Sequence, residues 1–390
     1  MLTRNSVIFT LFSCSTFISS SAQSWKSFND SAKVYLDKNQ TDKAIVYFDK
    51  ARQIIKKDSL QSDTHILLIR NIAGIFYRES QFKKAAGLFE EAKDISARMY
   101  GKEVRYTSIL NSLAAAYNRA GEYKMAEGYY LEAREIRLSL LGNQHPDYAQ
   151  STNNLGSYYW SIGDYSKAEP LLLEAKAIRE KMEPVKQNRV YAISCVALAN
   201  LYRDMGLTDK AEALYIEAKE IRAAVKPVRQ TEDYATSCNI LADLYNLSGS
   251  FKKAEPLYLE AKEIRSVNKQ SYAYAESSNN LFALYSSMGE YSKAEPLALE
   301  AKTIYETLLP LGDASLIIHN NNLGELYYKM GQFKISETYF LQAREAWDKA
   351  LGKDHPYYFS NTISMAKLYW NMGEIAKAKS FYEGVSTASF

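Results

Sequence analysis

An asparagine side chain offers a donor and an acceptor at one point, so an exposed one can pair with a peptide's C=O and N–H together. Asn29, Asn111, Asn153, Asn239, Asn279 and Asn321 each stand ten residues before a recurring turn position, and Asn71, Asn154, Asn280 and Asn322 make a second row one residue later. Asparagine is a mediocre helix former, so its recurrence on segments that otherwise read as helix asks for a reason. Either the amides form a track that reads an extended backbone, or they bond across neighbouring helices and belong to the fold. Each amide bond contributes only about 0.5–1.5 kcal/mol net, so a track needs several bonds and larger anchors. Trp160, Tyr328 and Trp370, with Arg119, Arg203 and Lys329, lie one or two turns further along the same side. On the track reading, alanine at Asn111, Asn153, Asn279 and Asn321 weakens partner binding and leaves folding nearly untouched, because no buried partner is orphaned.

Other chemistry is sought and not found. The histidines are His65, His145, His319 and His355, none with a cysteine or second histidine at ligand spacing, so no metal site is expected. His145 and His355 sit in LGxxHP turns, where a structural role is expected. No glycine-rich phosphate loop and no Gly-x-Ser-x-Gly elbow occurs, so no cofactor and no catalytic site are expected. Glu132, Glu174, Glu217 and Glu260 recur at one place with Lys or Arg two residues on, which reads as a solvated outer face. Cys195 and Cys238 lie 43 residues apart at equivalent places. Adjacent helix axes lie about 8–10 Å apart, too far for an easy bridge, so both read as small buried thiols.

The element that positions these residues is a helical hairpin, seen most plainly in Asn153–Arg179. Leu155, Gly156 and Tyr159 sit at helical spacing before Gly163; Tyr165, Ala168, Leu172, Ala175 and Ile178 do so after it. Small residues at Gly156, Ala168 and Ala175 let helix axes approach, Leu155, Tyr159 and Leu172 fill the space between them, and Asp164 can cap the second helix. With Gly163 as anchor, the pattern returns at positions 39, 80, 121, 163, 206, 249, 289, 331 and 373, spaced 40 to 43 residues apart. At Asn39 and Ser80 another turn-compatible residue replaces glycine. Nine copies at a fixed period mean a solenoid. Pro146 and Pro356 fit first-helix starts, whereas Pro170, Pro256 and Pro296 fall inside second helices and are expected to remove a backbone bond and bend each slightly.

Leu113-Ala114, Tyr117, Gly121, Tyr123, Ala126 and Ala133, or Leu323-Gly324, Tyr327, Gly331, Phe333 and Ala343, resemble the tetratricopeptide repeat. The longer period, with NNL at 153–155, 279–281 and 321–323, AEPL at 168–171, 254–257 and 294–297, and LGxxHP at 141–146 and 351–356, is similar to the kinesin-light-chain variant. The resemblance covers roughly residues 25–385. It implies an all-α, right-handed α-solenoid of about nine helix-turn-helix units, about eighteen helices in all and no sheet. It also implies that the first helices line a concave groove, in which asparagines of this kind hold an extended peptide.

Apolar content of 47% is ample for a continuous core, and most of the 31 tyrosines fall at packing positions of the repeat. The formal charge of +3 is carried by mixed lysine and glutamate with no basic block, which argues against nucleic acid or an anionic membrane surface as main partner. Residues 1–22 combine Arg4, an apolar run from Val7 to Ile18, and small residues at Ser20 and Ala22, the order of a secretory signal peptide cleaved before Gln23. Phe12 makes Cys14 a poor match to a lipoprotein site, and no other apolar run is long enough to span a membrane. Residues 23–385 form the repeat array, and 386–390 read as a chain cut short, because nothing after Tyr382 supplies a polar cap. Two functions fit. One is an exported, non-enzymatic scaffold that binds a peptide segment or partner protein. The other is the sensor region of a longer protein, since a signal peptide with such repeats resembles the front of bacterial proteins ending in a CHAT cysteine-peptidase domain.

Overall fold

The computed structural model describes residues 25–36, 40–57, 63–182, 189–224, 231–309, 312–353 and 355–386. The leader with Cys14, the Asn39 turn and residues 387–390 lie outside the described residues. The described residues form eighteen α-helices and no strand, and none of these helices is long and apolar enough to cross a membrane.

The chain divides into two compact units, Met1–Val185 and Lys186–Phe390. The first holds α1 (25–36), α2 (Thr41–Lys57), α3 (Asp63–Arg78), α4 (Phe82–Tyr100), α5 (Val104–Arg119), α6 (Tyr123–Leu141), α7 (Pro146–Ser161) and α8 (Tyr165–Glu180). The second holds α9 (Arg189–Asp204), α10 (Thr208–Ala224), α11 (Glu232–Leu247), α12 (Phe251–Arg265), α13 (Tyr272–Met288), α14 (Tyr291–Leu308), α15 (Ala314–Lys329), α16 (Phe333–Leu351), α17 (Pro356–Asn371) and α18 (Ile375–Ser386). Within each unit successive helices pack as hairpins, an odd-numbered first helix against its even-numbered second. First helices of neighbouring hairpins also touch, α5 with α7, α11 with α13 and α15 with α17.

Each hairpin is folded by the residues that marked it in the sequence. The turn glycines adopt the left-handed region, as at Gly163 with φ 80°, and Ser80 takes the same conformation at φ 57°. Asp164 accepts from the Lys167 amide at 3.2 Å and caps α8 as expected. Gly156 is needed for the close approach: a Cβ there would sit 2.9 Å from Leu172, and at Gly324 it would sit 2.6 Å from the Phe340 ring. Leu172 and Ala168 are fully buried beneath it. Pro146 and Pro356 open α7 and α17, each preceded by a histidine whose Nδ1 accepts a backbone N–H. Pro170, Pro256 and Pro296 lie inside α8, α12 and α14, which run through them without a break, and all three rings are on the exposed side.

The recurring glutamates need a correction. Glu174, Glu217 and Glu260, and Glu300 at the same repeat place, are half-buried and accept hydroxyl bonds from Tyr148, Tyr191, Tyr234 and Tyr274 at 2.6–3.0 Å, each clasping the first helix of its own hairpin, whereas Glu132 pairs with the exposed Lys102 at 2.7 Å. Cys195 and Cys238 are buried thiols outside any disulfide, and their sulfurs approach Glu217 and Glu260 at 3.6 and 3.8 Å. Burial, reinforced by Glu260, pushes the Cys238 thiol up to about 11. A second set of tyrosines ties one hairpin to the next. Tyr159 donates to Glu127, Tyr245 to Glu212, Tyr285 to Glu255, Tyr327 to Glu295 and Tyr369 to Glu337, at 2.6–2.8 Å. Burial and the carboxylate raise Tyr245 and Tyr285 to about 12, so both stay protonated donors. A lysine lies over the ring in four of these five cases, as Lys293 does over Tyr285 at 5.0 Å, while the Tyr327 ring stacks on Tyr339, over which Lys302 lies.

Candidate partner-binding face

Along each first helix one stripe stays open to solvent. On α13 it is Glu276, Asn280, Ala283 and Ser287; on α15, Ile318, Asn322, Glu325 and Lys329; on α17, Ser360, Ser364, Lys367 and Asn371. These residues are spaced as one side of a helix, and they are exposed or half-buried throughout. The second asparagine row, Asn154, Asn280 and Asn322, therefore lies on the open stripe. Asn154 accepts from Gln150 at 2.8 Å within α7.

The first row lies one residue, about 100°, around the helix and meets the next first helix instead. Asn111 donates to Thr107 O at 3.0 Å and reaches Ser151 Oγ at 3.5 Å. The Asn279 amide contacts His319 Nδ1 at 2.8 Å, and Asn321 Oδ1 accepts from Asn361 at 2.9 Å. Asn153 and Asn239 are only 4% and 5% exposed. The expectation that these amides are exposed and orphan nothing on removal is corrected: Asn279 and Asn321 hold buried partners in the neighbouring repeat, and Asn153 and Asn239 are interior.

His319 and Asn361 occupy one structural place. His319 Nε2 donates to Ala298 O at 2.8 Å, and Asn361 Nδ2 to Phe340 O at 3.1 Å, so each side chain joins both helices of the preceding hairpin. Packed edge-on to Phe282 and Tyr305, His319 is driven by burial down to about 4 and is neutral near pH 7.

Among the other sequence-derived candidates, Tyr328 and Trp370 come together. With Lys367, Asn371 and Tyr382 they line an open cavity of about 290 Å³ at the ends of α15 and α17, where Asn371 donates to the Tyr328 hydroxyl at 2.6 Å. Trp370 is 60% exposed, and Lys329 is exposed at the end of α15. Trp160 is half-buried at the end of α7. Arg203 turns to Asp204, 2.9 Å away, and Arg119 covers the Phe82 ring at 5.2 Å, at the turn end of its hairpin and away from Asn111. Lys367, Asn371 and Tyr382 were not singled out in the sequence; their signal was proximity to Trp370 in the last hairpin.

A buried polar ladder was also missed. Near the end of a second helix, Arg137, Arg222 and Arg265 each donate to a backbone carbonyl and a serine of the next first helix: Asp147 O and Ser151, Asp233 O and Ser237, Ala273 O and Ser277. Burial lowers Arg137 and Arg222 from the usual guanidinium range. Where His319 or Asn361 replaces the serine, the arginine place holds Tyr305 or Trp347. The recurrence of Arg137, Arg179, Arg222 and Arg265 at one repeat place was the available signal.

The tetratricopeptide repeat family matches residues 105–181, 192–265, 232–307 and 315–385. No curated protein matches the chain. Among solved structures, apo RapI aligns at TM-score 0.55 with 14% identity, covering 93% of this chain and 97% of its own. BtubC (BKLC) from P. vanneervenii aligns at TM-score 0.48 with 24% identity, over 64% of this chain and 94% of its own. A putative kinesin light chain with nearly identical TPR-like repeats from Podosopora anserina aligns at 0.46 with 22% identity, over 54% and 100%. The likeness to RapI concerns the fold alone. With the family matched across most of its hairpins, the chain belongs to the tetratricopeptide repeat family.

Proposed function

We propose that this protein is an exported, non-enzymatic scaffold that holds a peptide segment or partner protein against the first-helix face of its second unit. Tetratricopeptide repeat proteins generally mediate protein–protein interaction. The observation that carries the finer reading is the open cavity under Trp370 and Tyr328, which lies on the same face as the half-buried amides of Asn280 and Asn322. An exposed tryptophan beside an aromatic wall supplies an anchor for one side chain, and the amides pair with the backbone that follows it. Lys367 lines the cavity and favours an acidic residue next to the anchored one. Export rests on the order of charge, apolar run and small residues in the leader.

Panning a random peptide-display library on the chain beginning at Gln23 tests this reading. Enriched peptides should share an aromatic or large apolar residue beside an acidic one, and Trp370→Ala should weaken them by about tenfold. A library that yields no enriched sequence, or peptides that bind Trp370→Ala as well as the parent, would overturn it.

A further inference from the structure

A second cavity, in the first unit, arises from a gap in the arginine ladder. At the junction of α4 with α5, the place held elsewhere by Arg137, Arg222 and Arg265 is Ser96, and the serine that receives such an arginine is Ile109. With no guanidinium to fill it, an open cavity of about 290 Å³ remains among α3, α4 and α5. Asp63, Ile66, Leu67, Arg70, Ser96, Arg105, Ser108 and Ile109 line it.

Two of these residues have unspent polar capacity. The Ser96 hydroxyl has no hydrogen-bond partner although the residue is only 1% exposed. A buried hydroxyl left so is unfavourable unless something else pairs with it. Arg70 occupies the place that carries asparagine in the first row, is half-buried, and forms no ion pair among the described residues. The other charges at the rim are already matched, since Arg105 pairs with Asp63 at 3.3 Å and Glu103 at 3.8 Å, and Tyr100 hydrogen-bonds Asp63. The Ser108 hydroxyl is spent on Arg105 O at 2.8 Å and the Asp63 carboxylate on Arg105, so what is left is one cation and one hydroxyl donor beside a wall of Ile66, Leu67 and Ile109.

We infer that this cavity is a carboxylate-binding site that takes a group with a short aliphatic tail. A carboxylate has two acceptor oxygens, one for the Arg70 guanidinium and one for the Ser96 hydroxyl, and carries the single negative charge that Arg70 lacks. The tail lies on the isoleucines and on Leu67, which is 55% exposed. A phosphate fits less well, because its second negative charge finds no second unpaired cation and its further oxygens meet the apolar wall. The carboxylate can be that of a free short-chain acid or the C-terminus of a peptide with an aliphatic last residue. The site is independent of the face proposed above, and either can fail without the other.

Calorimetric titration of the whole chain with hexanoate, with hexanamide, and with an acetylated peptide ending in leucine as free acid or amide tests the inference. Hexanoate should bind saturably and hexanamide at least about tenfold more weakly. Arg70→Gln should weaken hexanoate by about tenfold, and Ser96→Ala by about threefold, with melting curves that match the parent. A peptide acid that binds more tightly than hexanoate, with no binding of its amide, assigns the site to a chain terminus; hexanoate binding more tightly assigns it to a small acid. Absent saturation by every carboxylate, equal binding of hexanamide, or unchanged binding to Arg70→Gln would overturn the inference.

Discussion

His319 couples stability to pH through a single ring. Its value of about 4 in the fold lies below the ordinary 6.5, so between those limits the unfolded chain binds more protons than the native one. Its contribution is therefore fully present above about pH 6.5 and is lost as pH falls toward 4, by on the order of 3 kcal/mol. Lys302 faces the ring and opposes its protonation, while Glu306 favours it weakly. In His319→Asn, which copies the bonds of Asn361, this slope should vanish from chemical denaturation measured at pH 7 and pH 5; a slope unchanged by the substitution would contradict the assignment. Gly324 sets a steric limit at the same scale. Gly324→Ala places a Cβ against the Phe340 ring and should cost about 1–3 kcal/mol, read as a lowered denaturant midpoint.

At the scale of the helix, two asparagines one residue apart do different work. Asn321→Ala orphans an Asn361 donor and should destabilise by about 1–2 kcal/mol, whereas Asn322→Ala, on the open stripe, should change stability by less than about 0.5 kcal/mol. Thermal melts that reverse this order would show the rows exchanged. Tyr285→Phe, which removes the bond to Glu255, should cost about 1–2 kcal/mol, and Glu255→Gln should then add little to it in a double-mutant cycle. The hairpins themselves were legible in the sequence, because Gly163 must be left-handed, Gly156 must lack a side chain, and Ala168 and Leu172 recur at helical spacing. Which asparagine row faces solvent was not legible: a step of about 100° decides it, and only the position of the neighbouring helix fixes the zero of that rotation. The recurring glutamates misled for a related reason. Lysine two residues on suggests solvent, but the tyrosine that clasps Glu174 stands 26 residues earlier, on the other helix of the hairpin. The Ser96 cavity is legible only as a departure, found by setting Ser96 beside Arg137 at the same repeat place.

For the molecule as a whole, a hairpin repeat stabilised by nearest-neighbour contacts leaves the first-helix faces available to a partner without unfolding anything. Intact mass of the protein from its native host should begin at Gln23; a retained Met1 would contradict export, and a lipid on Cys14 would contradict cleavage before Gln23. The most direct test of the central claim separates binding from stability on one face. Fluorescence anisotropy of a library-selected peptide should be measured against the parent chain, against the triple variant Asn280→Ala, Asn322→Ala and Trp370→Ala, and against the pair Asn279→Ala and Asn321→Ala. The open-stripe triple should bind at least about tenfold more weakly with its melting temperature within about 2 °C of the parent, and the junction pair should melt several degrees lower. A triple variant that binds like the parent would contradict the assignment of the open stripe as the partner-binding face.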